Sequence, residues 1–80
     1  MEELVGVKDR IRSVPDFPAP GILFRDITPV LGAPELLRQS VEALTGYARS
    51  RRAEVIAGIE SRGFVFGVPV ALALGVPFVP

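Results

Sequence analysis

The chain has 80 residues, enough for one small domain that buries only about 60% of the surface its unfolded form would expose. Nine Lys and Arg balance nine Asp and Glu, so the whole chain offers no electrostatic footprint for nucleic acid or an anionic membrane, and any anion site must be local. The absence of His and Cys excludes disulfide frameworks, thiolate zinc sites, cysteine nucleophiles and histidine-based triads, leaving Arg, carboxylates, hydroxyls and backbone groups for any chemistry.

Leu4, Val7, Ile11 and Val14 recur every three to four positions and predict a first helix over residues 2–13. Glu2 and Glu3 would sit at its positive end, and Pro15 would stop it. The stretch from Pro15 to Pro34 is dense in proline and glycine yet also holds Phe17, Ile22, Leu23, Phe24 and Ile27. It reads as a long loop packed by its own apolar side chains, because a mere spacer would be polar.

Pro34 suits the first position of a second helix, with Glu35 in its first turn and Arg49, Arg51 and Arg52 in or beyond its last. Leu37, Val41, Leu44 and Ala48 form its expected buried stripe. Val55 to Ile59 is an unbroken apolar run, predicting a strand covered on both faces and hence a parallel sheet. The polar tetrad Glu60, Ser61, Arg62 and Gly63 follows, then a helix through Leu74 with Pro69 in an early turn, Gly75 as its cap, and a second strand from Val76. Residues 64–80 carry no charge, but Gly67, Pro69, Gly75, Pro77 and Pro80 break them up, so they do not read as a membrane span. No basic, continuously apolar leader is visible, and the cytoplasm is the expected location. Two parallel strands leave a sheet edge and face uncovered, which predicts the first half of an α/β domain and association through apolar surface.

Chemistry is expected at the carboxyl ends of parallel strands, where the next helix begins. There Glu60 to Gly63 either forms a phosphate or pyrophosphate loop, with Arg62, Gly63 and free helix-start amides as donors, or is only a helix cap with a surface ion pair. Phe24, in the proline-rich stretch, either stacks on a planar base or serves packing alone.

Two segments narrow these alternatives. Pro15-Asp-Phe-Pro-Ala-Pro-Gly-Ile-Leu-Phe-Arg-Asp-Ile-Thr-Pro29, and then Gly58-Ile-Glu-Ser-Arg-Gly-Phe-Val-Phe-Gly67 with Ala71-Leu-Ala-Leu-Gly-Val-Pro77, resemble the adenine phosphoribosyltransferases of the purine/pyrimidine phosphoribosyltransferase family. The resemblance implies the first half of a type I phosphoribosyltransferase fold: residues 1–34 as an N-terminal helix and base-binding hood loop, and residues 35–80 as helix, strand, pyrophosphate loop, helix and partial strand. It implies transfer of a 5-phosphoribosyl group from phosphoribosyl pyrophosphate, with Mg2+, to adenine, giving AMP and pyrophosphate in a homodimer. Phe24 would stack on adenine, while main-chain groups of Leu23 and Arg25 would bond its edge. Glu60, Ser61, Arg62 and Gly63 would hold the pyrophosphate, and the Glu60–Ser61 peptide is expected to be cis. The family's mobile catalytic loop and ribose-phosphate loop have no counterpart in these residues. The 80 residues alone are therefore expected to contain no catalytic residue or metal site and to be inactive. The alternative is a nonenzymatic, ligand-binding regulator built on the same fold.

Overall fold

The computed structural model describes residues 4–80. Helix α1, Val5–Arg10, is shorter than its apolar spacing suggests; backbone extension begins at Ile11, and strand β1 follows over Arg12–Pro15. The helix expected over 2–13 is thus corrected at its far end, while Glu2 and Glu3 lie outside the described residues. The cause is a partner far along the chain. Strand β2, Leu23–Asp26, pairs antiparallel with β1, setting Arg12 opposite Asp26, Ser13 opposite Arg25, and Val14 opposite Phe24. These cross-strand pairs outweigh the modest helix propensity of Ile11, Ser13 and Val14.

The stretch between Pro15 and Pro34 is therefore not one long loop. Its turn is tied by the Phe17 amide donating to the Ile22 carbonyl (3.0 Å) and the Gly21 amide donating to Asp16 Oδ1 (2.8 Å). Gly21 takes a φ of 86°, which only glycine adopts without a steric penalty. After β2 comes the short helix α2, Thr28–Leu31, whose first amide, that of Thr28, donates to Asp26 Oδ1 (2.9 Å). Val30 on this helix is the most buried apolar residue among the described residues, 2% exposed.

Helix α3, Pro34–Ser50, matches its expected start and end, with Glu35 in the first turn and Arg49 in the last. Its buried side differs from the expected stripe. Ser40 and Thr45 are buried, whereas Leu44 remains 45% exposed because it borders an open groove of about 290 Å³ lined also by Tyr47, Ile56, Phe66 and Val70. Ser40 is satisfied by donating to the Leu36 carbonyl (3.0 Å). The chain divides into two compact units, one ending at Ser40 and the other Val41–Pro80, and α3 contributes residues to both.

The second unit is a strand, turn, helix, strand motif. Strand β3, Ile56–Ala57, lies parallel to β4, Phe78–Val79, through the Ile56 amide to the Pro77 carbonyl (3.0 Å) and the Gly58 amide to the Val79 carbonyl (3.1 Å). The strand expected over Val55 to Ile59 is trimmed to these two paired residues, since a partner exists only there. Within these 80 residues Val55 and Ile59 are 49% and 88% exposed. Helix α4, Arg62–Leu74, joins the strands and ends at Gly75 in the left-handed region, φ 73°. The Gly75 and Val76 amides close its last turn on the Ala71 carbonyl. Pro69 falls inside this helix rather than in an early turn. Its missing N–H leaves the Val65 carbonyl without the usual helical donor, on a residue already 41% exposed.

Candidate functional site

The first candidate surface is built on one face of the β1–β2 hairpin. Side chains alternate along β2, so Phe24 and the buried Asp26 share a face while Leu23 and Arg25 take the other. On that first face Arg12, Val14, Phe17, Phe24 and Asp26 line a cavity of about 420 Å³. Phe17 and Phe24 meet edge to face with centroids 5.3 Å apart, so the Phe24 ring has a fixed aromatic neighbour. Asp26 accepts from the Thr28 amide and from the Arg12 guanidinium; these contacts, with Thr28 first, hold its carboxyl below the usual carboxylate range. On the opposite face Arg25 Nη1 donates to Ser13 Oγ (2.6 Å).

Backbone direction follows from the same pairing. The Ile22 carbonyl receives the Phe17 amide, and Pro15 has no N–H with which to pair Leu23. The peptide groups of Ile22 and Phe24 therefore face β1, and those of Leu23 and Arg25 face the open edge of β2. An open strand edge beside an aromatic ring supplies alternating donors and acceptors in the plane that a flat heterocycle would occupy. Sequence reasoning missed Arg12 and the buried Asp26 as members of this face. The alternation of Phe24 with Asp26 was the available signal, but it has meaning only once the segment is recognised as a strand.

The second candidate surface is the turn from Gly58 to Gly63, at the carboxyl end of β3. Glu60, Ser61 and Arg62 are exposed, Gly63 is half-buried, and the Glu60–Ser61 peptide is cis, as expected. Ser61 occupies the cap position of α4, yet its side chain makes no capping hydrogen bond. Two of the amides expected to be free are already engaged: Gly63 donates to the Ile59 carbonyl (3.0 Å) and Phe64 to the Ser61 carbonyl (3.1 Å). The expectation of free helix-start amides is corrected at Gly63 and Phe64, because the turn closes on itself. The closure needs glycine. A Cβ on Gly58 would lie 2.6 Å from the Gly63 carbonyl oxygen, so backbone meets backbone there with no room for a side chain.

No family model matches the chain. An adenine phosphoribosyltransferase of Actinobacillus pleuropneumoniae is 49% identical over 79 residues, which are 99% of this chain and 44% of that protein. Among solved structures, the adenine phosphoribosyltransferase of Thermoanaerobacter pseudethanolicus superposes with a TM-score of 0.88 at 47% identity, covering 94% of this chain and 45% of that one. The Saccharomyces cerevisiae enzyme, complexed with an imino-altritol bisphosphate and adenine, gives a TM-score of 0.90 at 38% identity over 99% of this chain and 47% of its own. With its parallel strand, turn and helix unit, the chain thus has the fold of a type I phosphoribosyltransferase segment. Its sequence matches adenine phosphoribosyltransferases along nearly its whole length, and it spans somewhat under half the length of the curated relatives it matches.

Proposed function

We propose that the complete protein transfers the 5-phosphoribosyl group of phosphoribosyl pyrophosphate to adenine, releasing AMP and pyrophosphate, and that the 80 residues alone form no AMP. Adenine stacks on Phe24 and presents its edge to the main-chain groups of Leu23 and Arg25. The pyrophosphate is held by the Arg62 guanidinium together with Ser61, with Glu60 and Gly63 shaping the turn. Pyrophosphate gains charge as its bond to the anomeric carbon breaks, so a charge-assisted donor such as Arg62 contributes more in the transition state than in the ground state. Stacking on Phe24 holds the base in one orientation, a contribution that requires no nucleophilic side chain.

What supports this reading is the turn itself: Gly58 and Gly63 meet backbone to backbone at the carboxyl end of β3 and leave Ser61 and Arg62 exposed where α4 begins, in a chain 49% identical to an adenine phosphoribosyltransferase over 79 residues. Among the described residues no group of three or more His, Cys, Asp or Glu side chains could hold a metal ion. Mg2+ would enter on the oxygens of phosphoribosyl pyrophosphate, as this ion commonly binds through substrate phosphates. Val65, Val68 and Leu72 recur on one face of α4 and are 41%, 47% and 81% exposed in these 80 residues, an apolar face for the rest of the domain to cover; the complete protein is read as a homodimer. Among the described residues no helix is long and apolar enough to cross a membrane.

The test is AMP formation from adenine and phosphoribosyl pyrophosphate by the full-length protein. Binding of both ligands without AMP would instead mark a regulator built on the same fold.

A further inference from the structure

The hairpin that carries Phe24 is short, its register set near the turn by two hydrogen bonds, on one face by the Arg25–Ser13 contact, and at the end far from the turn by the Arg12–Asp26 contact. Each strand is four residues long, and a slip by one residue would turn Phe24 to the opposite face and Leu23 into its place. Directly opposite each other at one end stand Arg12 and Asp26, whose side chains meet across the strands on the Phe24 face. Asp26 is 8% exposed and anchored a second time by the Thr28 amide, so its carboxylate is a fixed point. Arg12 is the adjustable partner, with a side chain 63% exposed. An ion pair this open adds little to overall stability. Its location is what matters: it lies one step along the same face from the Val14–Phe24 pair and walls the same cavity.

We propose that Arg12 and Asp26 are positioning residues for base binding: their cross-strand contact holds the hairpin register and thereby aims the Phe24 ring and the peptide groups of Leu23 and Arg25. The proposal rests on the base-binding reading given above. Each residue acts through strand β2, and the consequence falls on adenine rather than on phosphoribosyl pyrophosphate.

Steady-state kinetics of the full-length protein, with each substrate varied in turn, test this in Arg12→Ala, Arg12→Lys and Asp26→Asn. Arg12→Ala is expected to raise the KM for adenine by about tenfold, because misplaced binding groups lose much of their effect over distances of about an ångström. The KM for phosphoribosyl pyrophosphate should stay within about twofold, and the melting temperature within a few degrees. Arg12→Lys, which keeps the charge, should recover most of the loss. Asp26→Asn keeps an acceptor for Thr28 but weakens the pair, and should reproduce the adenine effect. An unchanged adenine KM in Arg12→Ala overturns the proposal, as does an equal loss on both substrates with no recovery in Arg12→Lys. Should Arg12→Ala fail to fold, Arg12→Lys and Asp26→Asn decide by the same split. A wild-type protein that makes no AMP overturns the base-binding reading and this one with it, whereas an active wild type with an indifferent Arg12 overturns only the positioning role.

Discussion

Gly58→Ala should damage the pyrophosphate turn while sparing the base. The new methyl would lie 2.6 Å from the Gly63 carbonyl oxygen, 2.8 Å from its carbon and 2.9 Å from the tip of the Phe78 ring. Ordinary contact begins near 3.4 Å, so β3 and the first turn of α4 must separate by about 0.8 Å, the difference between 3.4 and 2.6. Two of the three atoms are backbone and cannot rotate aside. The Gly58 amide is also committed to the Val79 carbonyl, and that of Gly63 to the Ile59 carbonyl, so the shift strains both links. Overpacking of this kind costs about 1 to 3 kcal/mol. In a domain of 150 to 250 residues each kcal/mol lowers the melting temperature by roughly 2 to 4 °C. A displacement approaching an ångström under Ser61 and Arg62 should lower kcat/KM for phosphoribosyl pyrophosphate by about 10- to 100-fold. Differential scanning fluorimetry and initial rates on the full-length protein measure both quantities. Wild-type melting with wild-type kinetics would refute the close-contact argument, and an equal loss in adenine KM would show that the damage is not local to the turn.

Arg62→Ala, which removes a charge-assisted contact worth roughly 1.5 to 3 kcal/mol, should weaken use of phosphoribosyl pyrophosphate about 10- to 100-fold and leave adenine affinity nearly intact. Equal damage to adenine binding, or unaltered turnover, would reduce Arg62 to a surface residue. Gly46→Ala should stabilise the protein by up to about 1 kcal/mol, because this helical glycine has nothing within 4 Å of a built Cβ; chemical denaturation showing a loss would contradict it. Asp26 has a folded pKa below its unfolded one, so its contribution to stability is full above about pH 4 and fades as pH falls through the folded value. The stability curve of Asp26→Asn should be flatter than that of wild type below about pH 4, and parallel curves would dismiss the carboxylate's role. Glu35, depressed by Arg38, adds the same sign of slope in both proteins.

The parts of the fold legible in the sequence are those whose signals are local. Helix α3 announces itself through Pro34, Glu35 and Arg49, each placed by the chain's own dipole and backbone chemistry. The β3, α4, β4 unit is legible because an apolar run, a polar turn and Gly75 punctuate it within a short stretch. The hairpin escapes such reading. Ile11 and Val14 continue a helical spacing, five prolines disguise β2 and its surroundings as loop, and pairing Arg12 with Asp26 joins residues fourteen positions apart. The candidate residues Phe24 and Arg62 stand out by type, but the engaged amides of Gly63 and Phe64 depend on how tightly the turn closes. That tightness comes from the mutual approach of Gly58 and Gly63, a contact with no periodic signature.

The Phe78 ring of β4 meets Phe64 edge to face at 5.7 Å and occupies the space that side chains at two glycines would need. A Cβ on Gly67 would come within 2.5 Å of it, and one on Gly58 within 2.9 Å. Positions 58, 67 and 78 therefore draw on one shared volume and cannot vary independently. A methyl on Gly67 presses on the Phe78 ring, so Gly67→Ala combined with Phe78→Leu should cost less than the sum of the single changes, the kind of coupling found between residues in contact. In evolutionary drift the strand that follows α4 and the turn that precedes it are tied to the same aromatic ring, and a sequence reaches a new solution there only by changing both ends of the helix together.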